Sequence, residues 1–111
     1  MSIPINRHLF WLTTMGGDRM FTHLQTAAEF IAEEMIRKRE TDTWQENYIQ
    51  SLHKITKRGD SWGVTDVSEE MFRQATIILW NPINKTKREL DEVKMDVVKL
   101  YDKHKGTQQG L

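Results

Sequence analysis

The sequence predicts an all-α fold: a compact bundle of four main helices (about residues 19–39, 44–58, 67–80 and 87–105) with an N-terminal segment packed against it. Apolar residues recur at three- and four-residue steps through four stretches, the spacing of an amphipathic helix. Good capping signals stand ahead of three of those stretches. No run alternates polar and apolar residues over six or more positions, and neither an Asn-Gly nor an Asp-Gly hairpin signal occurs.

Residues 1–17 form an arm or a short helix: either Asn6 caps a turn or two ending near Leu12, or Leu9-Phe10-Trp11-Leu12 lies extended across the bundle. Gly16-Gly17 breaks the chain, and Asp18 is placed to cap the first helix, whose stripe is Met20, Leu24, Ala27, Ala28, Ile31 and Met35. Its Arg37-Lys38-Arg39 ending suits the negative end of a helix dipole. Thr43-Trp44-Gln45-Glu46 has the form of a capping box, and Trp44, Tyr48, Leu52 and Ile55 make the second stripe, closed by Gly59. Asp66 and Glu69 open the third helix, with Met71, Phe72, Ala75, Ile78 and Leu79 on one side and Asn81-Pro82 at its end. Thr86-Lys87-Arg88-Glu89 opens the fourth, on which Leu90, Val93, Val97, Leu100 and His104 follow a helical step before Gly106 and a polar tail, 106–111.

One domain is expected from 111 residues. A chain of that size buries roughly 65% of its unfolded surface, enough for an independent core. Hydrophobic residues are 38% and charged ones 29%, too apolar for disorder and too polar for a membrane span. No apolar run approaches the ~20 residues needed to cross a bilayer. The absence of cysteine removes disulfide scaffolds, zinc ribbons and thiol catalysis. The N-terminus lacks the basic start and apolar stretch of a secretory signal, so a cytoplasmic location, in a cell or an infected host, is the expectation.

Catalysis is disfavoured by geometry. None of His8, His23, His53 and His104 stands three residues after a glutamate, and no His-Glu-x-x-His occurs, so no metal site is expected. Glu29 and Glu33 lie one turn apart but point roughly 130° from the stripe of their helix, toward water. Glu89, Glu92 and Asp96 share a side with Lys99 and Lys103. Gly16-Gly17-Asp18-Arg19 lacks the spacing of a phosphate-binding loop, and the serines lie in no nucleophile-elbow context. No cofactor is implied, and a metal-dependent helical hydrolase is the weakest of the readings kept.

Apolar surplus outside the stripes is the informative feature. Phe30, Ile77, Trp80, Met95 and Val98 fall on second, smaller faces of three helices, and Trp62 stands in the turn-rich Asp60-Ser61-Trp62-Gly63. One inward stripe per helix suffices for an isolated bundle, so these six are candidate anchors for a protein partner or a homo-oligomer. The competing account covers them internally, with the N-terminal segment and the Trp62 loop. The alternative function is a nucleic-acid-associated regulator whose basic pole comprises Arg37, Lys38, Arg39, Lys85, Lys87 and Arg88. A net charge of zero, from 16 basic and 16 acidic residues, weakens it, because phosphate neutralisation needs a basic excess.

Overall fold

The all-α expectation is overturned. A computed structural model describes residues 6–81 and 87–105, with side chains for 8–81 and 90–105. Among these residues it has a four-stranded antiparallel sheet and three helices: β1 (Asn6–Thr14), β2 (Gly17–Phe21), α1 (Leu24–Glu40), β3 (Ile49–Arg58), β4 (Ser61–Asp66), α2 (Ser68–Leu79) and α3 (Lys87–His104). Strand order is β2-β1-β3-β4, every neighbouring pair antiparallel. It is an α+β fold, with the helices on one face of the sheet.

Two tight hairpins make the sheet. Thr14 pairs with Gly17 across Met15-Gly16, and Arg58 pairs with Ser61 across Gly59-Asp60. Gly17 at φ 122° and Gly59 at φ 59° hold conformations that glycine adopts without a Cβ clash. Gly59-Asp60 is a hairpin signal that a search for Asn-Gly and Asp-Gly passes over, and the first hairpin turns on Met15-Gly16 with Gly17 opening β2. Pairing with β1 claims Gly17–Phe21, so the first helix begins at Leu24 instead of near Asp18 or Arg19.

The expected helix over 44–58 is instead a loop followed by β3. The register between β1 and β3 shifts between Thr13 and Thr14: Thr13 pairs with Ser51, Thr14 with Ile49, and Gln50 is the extra residue. That bulge puts Ile49 and Leu52, three apart, on the same buried face, which imitates a helical step. Thr43 closes a helix rather than opening one. Asp42 takes φ 58°, its N–H donates to Arg39 O, and the Thr43 N–H donates to Lys38 O at 2.8 Å, a Schellman ending for α1.

The last two helices match their expected spans. Asp66 Oδ1 accepts from the Ser68 N–H at 2.8 Å, satisfying a donor where α2 starts. Phe10, Leu12, Ile49 and Leu52 on the sheet meet Ala28, Ile31 and Met35 of α1 and Met71, Phe72, Ala75 and Leu79 of α2. Contacts with the sheet come from α1 and α2, and α3 packs on both of those helices, burying Leu90, Val93, Val97 and Leu100. No helix among the described residues is long and apolar enough to cross a membrane.

His104 ends the buried stripe of α3, its ring 5.0 Å from that of Phe72. Burial lowers its pKa from the ordinary 6.5, only partly offset by Asp66. The unfolded chain therefore binds this proton more readily than the folded one, and the stability involved is full above about pH 6.5 and is lost as pH falls below it. Urea midpoints at pH 7.5 and 5.5 test this: the loss on acidification should shrink in His104→Gln. An unchanged loss would remove His104 from the account.

Candidate functional site

Among the described residues, a one-sided helical layer leaves the opposite face of the sheet bare. Residues directly opposite in an antiparallel ladder point to the same face, so the register lays that face out in rows. Leu9, Ile55 and Val64 form one row across β1, β3 and β4, and Thr22, one step beyond the β2 pairing, continues it beside Leu9. The next row is Met20, Trp11, His53 and Asp66; beyond it Asp18, Thr13 and Ser51 stand abreast. On the other side of the Leu9 row, Lys57 pairs with Trp62.

Leu9, Trp11, Met20, Trp62 and Val64 are all exposed, Trp62 at 61% and Val64 at 62%. The two tryptophans together expose about one whole tryptophan side chain, roughly 250 Å². Leu9, Met20 and Val64 bring the apolar area to about 500 Å², within the range where the largest patch on a soluble protein is often functional. A groove of about 360 Å³ runs between His8, Leu9, Thr22, Ile55, Lys57 and Trp62. Lys57 Nζ sits 5.4 Å from the centre of the Trp62 ring, and the rings of Trp11 and His53 are 6.3 Å apart.

The six anchors picked from the sequence divide between surfaces. Trp62 lies on the open sheet face. Ile77, Trp80, Met95 and Val98 are exposed on the outer side of the α2–α3 pair, where Lys94 Nζ stands 5.1 Å from the Trp80 ring. Phe30 is half-buried and covered from within, its ring 5.6 Å from Phe21 and 4.5 Å from the Arg19 guanidinium carbon. Met20 and Ile55, expected on inward helical stripes, lie instead on the open sheet face with Leu9 and Trp11 of the expected covering segment and with Val64, because strand pairing turns them away from the buried Leu12 and Leu52. The available signal was the Gly59-Asp60 turn followed by Trp62-Gly63-Val64, whose alternation marks an edge strand.

Comparison with family models, with curated proteins and with solved structures finds no match to this chain.

The expected basic pole has its described cations engaged. Arg37 Nε donates to Glu34 Oε1 at 3.2 Å, and Glu34 also accepts from the Tyr48 hydroxyl at 3.2 Å. Arg39 makes a bidentate pair with Asp96 at 2.7 and 2.8 Å and lies 3.6 Å from Glu92. Lys38 Nζ sits 4.5 Å from the Tyr48 ring centre. Lys85 and the side chains of Lys87 and Arg88 lie outside the described residues, as do residues 1–5, Thr86 and the tail 106–111.

Glu29 and Glu33 are exposed, and Asp96 is neutralised by Arg39 rather than by Lys99 or Lys103. No three His, Cys, Asp or Glu side chains among the described residues are placed to hold a metal ion. A polar cleft of about 440 Å³ beside the β1–β2 turn contains Asp18, Arg19, Glu34, Arg37 and Tyr48, three of which bond one another.

Proposed function

We propose that this chain is a non-enzymatic protein-binding module whose docking surface is the uncovered face of its sheet. The carrying observation is that all three helices lie on one side, leaving Leu9, Trp11, Met20, Trp62 and Val64 exposed on the other. Paired strands fix the backbone beneath these side chains, so little backbone entropy is lost when a partner covers them. Two tryptophans and a methionine are residue types favoured as interface anchors.

Charge favours a protein over a nucleic acid. Among described side chains the open face carries Lys57 against Asp18 and Asp66, which gives no excess for neutralising phosphates. Its aromatic residues thus lack the cationic groove that accompanies base stacking in single-strand binders.

Val64→Glu places a carboxylate on the β4 side of the patch, beside Ile55, at a residue already largely in water. The expected result is an unfolding temperature within a few degrees of the parent, together with loss of any protein that the parent retains from a cell extract. Retention of the same protein by Val64→Glu and by Trp62→Ala would overturn the reading.

A further inference from the structure

The charges on the open face are not scattered; they are sorted by row. Lys57 lies on one side of the Leu9–Ile55–Val64 row, and Asp66, with His53 4.0 Å away, lies on the other. Resting on the reading of this face as a docking surface, we propose that its occupant is a second copy of the same chain. The two sheets stack face to face with strands antiparallel, about a two-fold axis along the Thr22–Leu9–Ile55–Val64 row.

That rotation lays the apolar row upon itself and exchanges the rows flanking it. Each Lys57 comes over the partner row that holds His53 and Asp66, and each Trp62 comes over the carboxylate of Asp66. Adjacent strands are about 4.8 Å apart and stacked sheets about 10 Å apart, so an extended lysine reaches a carboxylate one strand over. Two such ion pairs form, related by the axis. Stacking about an axis parallel to the strands instead sets each Lys57 over the partner row that holds its own Lys57 and Trp62, and each Asp66 over Met20, with no countercharge. Charge therefore selects the antiparallel arrangement.

Area agrees with it. Four strands by about four rows span roughly 20 Å by 20 Å. The exposed apolar side chains supply about 500 Å², and Ile55, His53, Lys57 and Asp66 around them bring each copy toward the roughly 800 Å² per partner of a standard stable interface. Pairing through the β4 edge would cover Trp62 and Val64 and leave Leu9, Trp11 and Met20 in water.

Sedimentation equilibrium on the full chain tests the proposal. The expected mass is twice 13.2 kDa, reverting to a single chain in Val64→Glu, with the dimer dissociation constant raised about tenfold or more in Lys57→Glu. Because the chain has no cysteine, Leu9→Cys offers a single thiol near its own mate across the axis. A short bifunctional thiol reagent should link it, and should not link Trp80→Cys on the helical side. A chain that stays single at millimolar concentration overturns the dimer, while the loss of a captured protein in Val64→Glu would still stand as the separate result on docking. A dimer that links through Val64→Cys but not Leu9→Cys is edge-paired and overturns the stacking. One that links through Trp80→Cys and survives Val64→Glu uses the helical face and overturns it too.

Discussion

Leu12→Ala should destabilise the fold by about 3–5 kcal/mol, whereas Leu9→Ala, three residues earlier in the same strand, should cost about 1 kcal/mol. Leu12 has no exposed surface, pairs with Leu52, and belongs to the core beneath α1 and α2. Removing its branched end leaves a void that a close-packed interior cannot close, so the cavity adds to the lost transfer energy. Leu9 is 39% exposed on the open face beside Ile55, and solvent fills the space it vacates. Urea denaturation of both variants is best measured in the Val64→Glu background, where association does not contribute. Equal costs would mean that β1 is buried on both sides, and the docking surface would vanish with the asymmetry.

The same strand shows why part of the fold was illegible. A half-buried strand normally advertises itself by alternation, but in Leu9-Phe10-Trp11-Leu12 the outward residues are as apolar as the inward ones, so the period of two is erased. The property that makes the face a candidate site is the property that hid the strand. In β3 the disguise was the bulge at Gln50, which spaces Ile49 and Leu52 as a helix would while Ile55 turns to the other face. By contrast, α2 and α3 each bury one stripe and leave the opposite side in water, and their 3.6-residue period was readable. So was the surplus on them: Ile77, Trp80, Met95 and Val98 are exposed. Trp62 was legible as an outlier but not as a strand residue, because without its partners Leu9, Ile55 and Val64 the row it flanks does not exist in one dimension.

Stacking two copies also bears on solubility. A strand edge with Trp62 and Val64 exposed and no lysine within it is open to further pairing. In the proposed dimer, closing the face by a two-fold operation would withdraw those side chains from water without generating a second unsatisfied copy of the surface, which an open-ended assembly would do.

The other large effect lies far from that face. Arg39→Met should cost about 2–4 kcal/mol, and Asp96→Leu should cost much less. Asp96 is buried to 6% exposure in α3, and its two oxygens accept from Arg39 Nε and Nη2 at the end of α1. Methionine keeps much of the arginine stem but removes both donors, so a buried carboxylate is left without the two bonds that held it. The expected cost is somewhat below that of breaking a fully buried pair, because about a third of the Arg39 side chain already meets water. The reverse substitution strands nothing comparable. With Asp96 replaced by leucine, the guanidinium retains Glu92 at 3.6 Å and its solvent-exposed part, while the leucine adds apolar burial beside Val93 and Val97. Chemical denaturation of both variants and of the double variant Arg39→Met/Asp96→Leu measures the difference. The double variant should recover most of the loss, since removing both charges removes the unpaired one. If it is as unstable as Arg39→Met alone, the cost lies in the packing of the arginine stem between α1 and α3, and the asymmetry argued from the buried carboxylate is wrong.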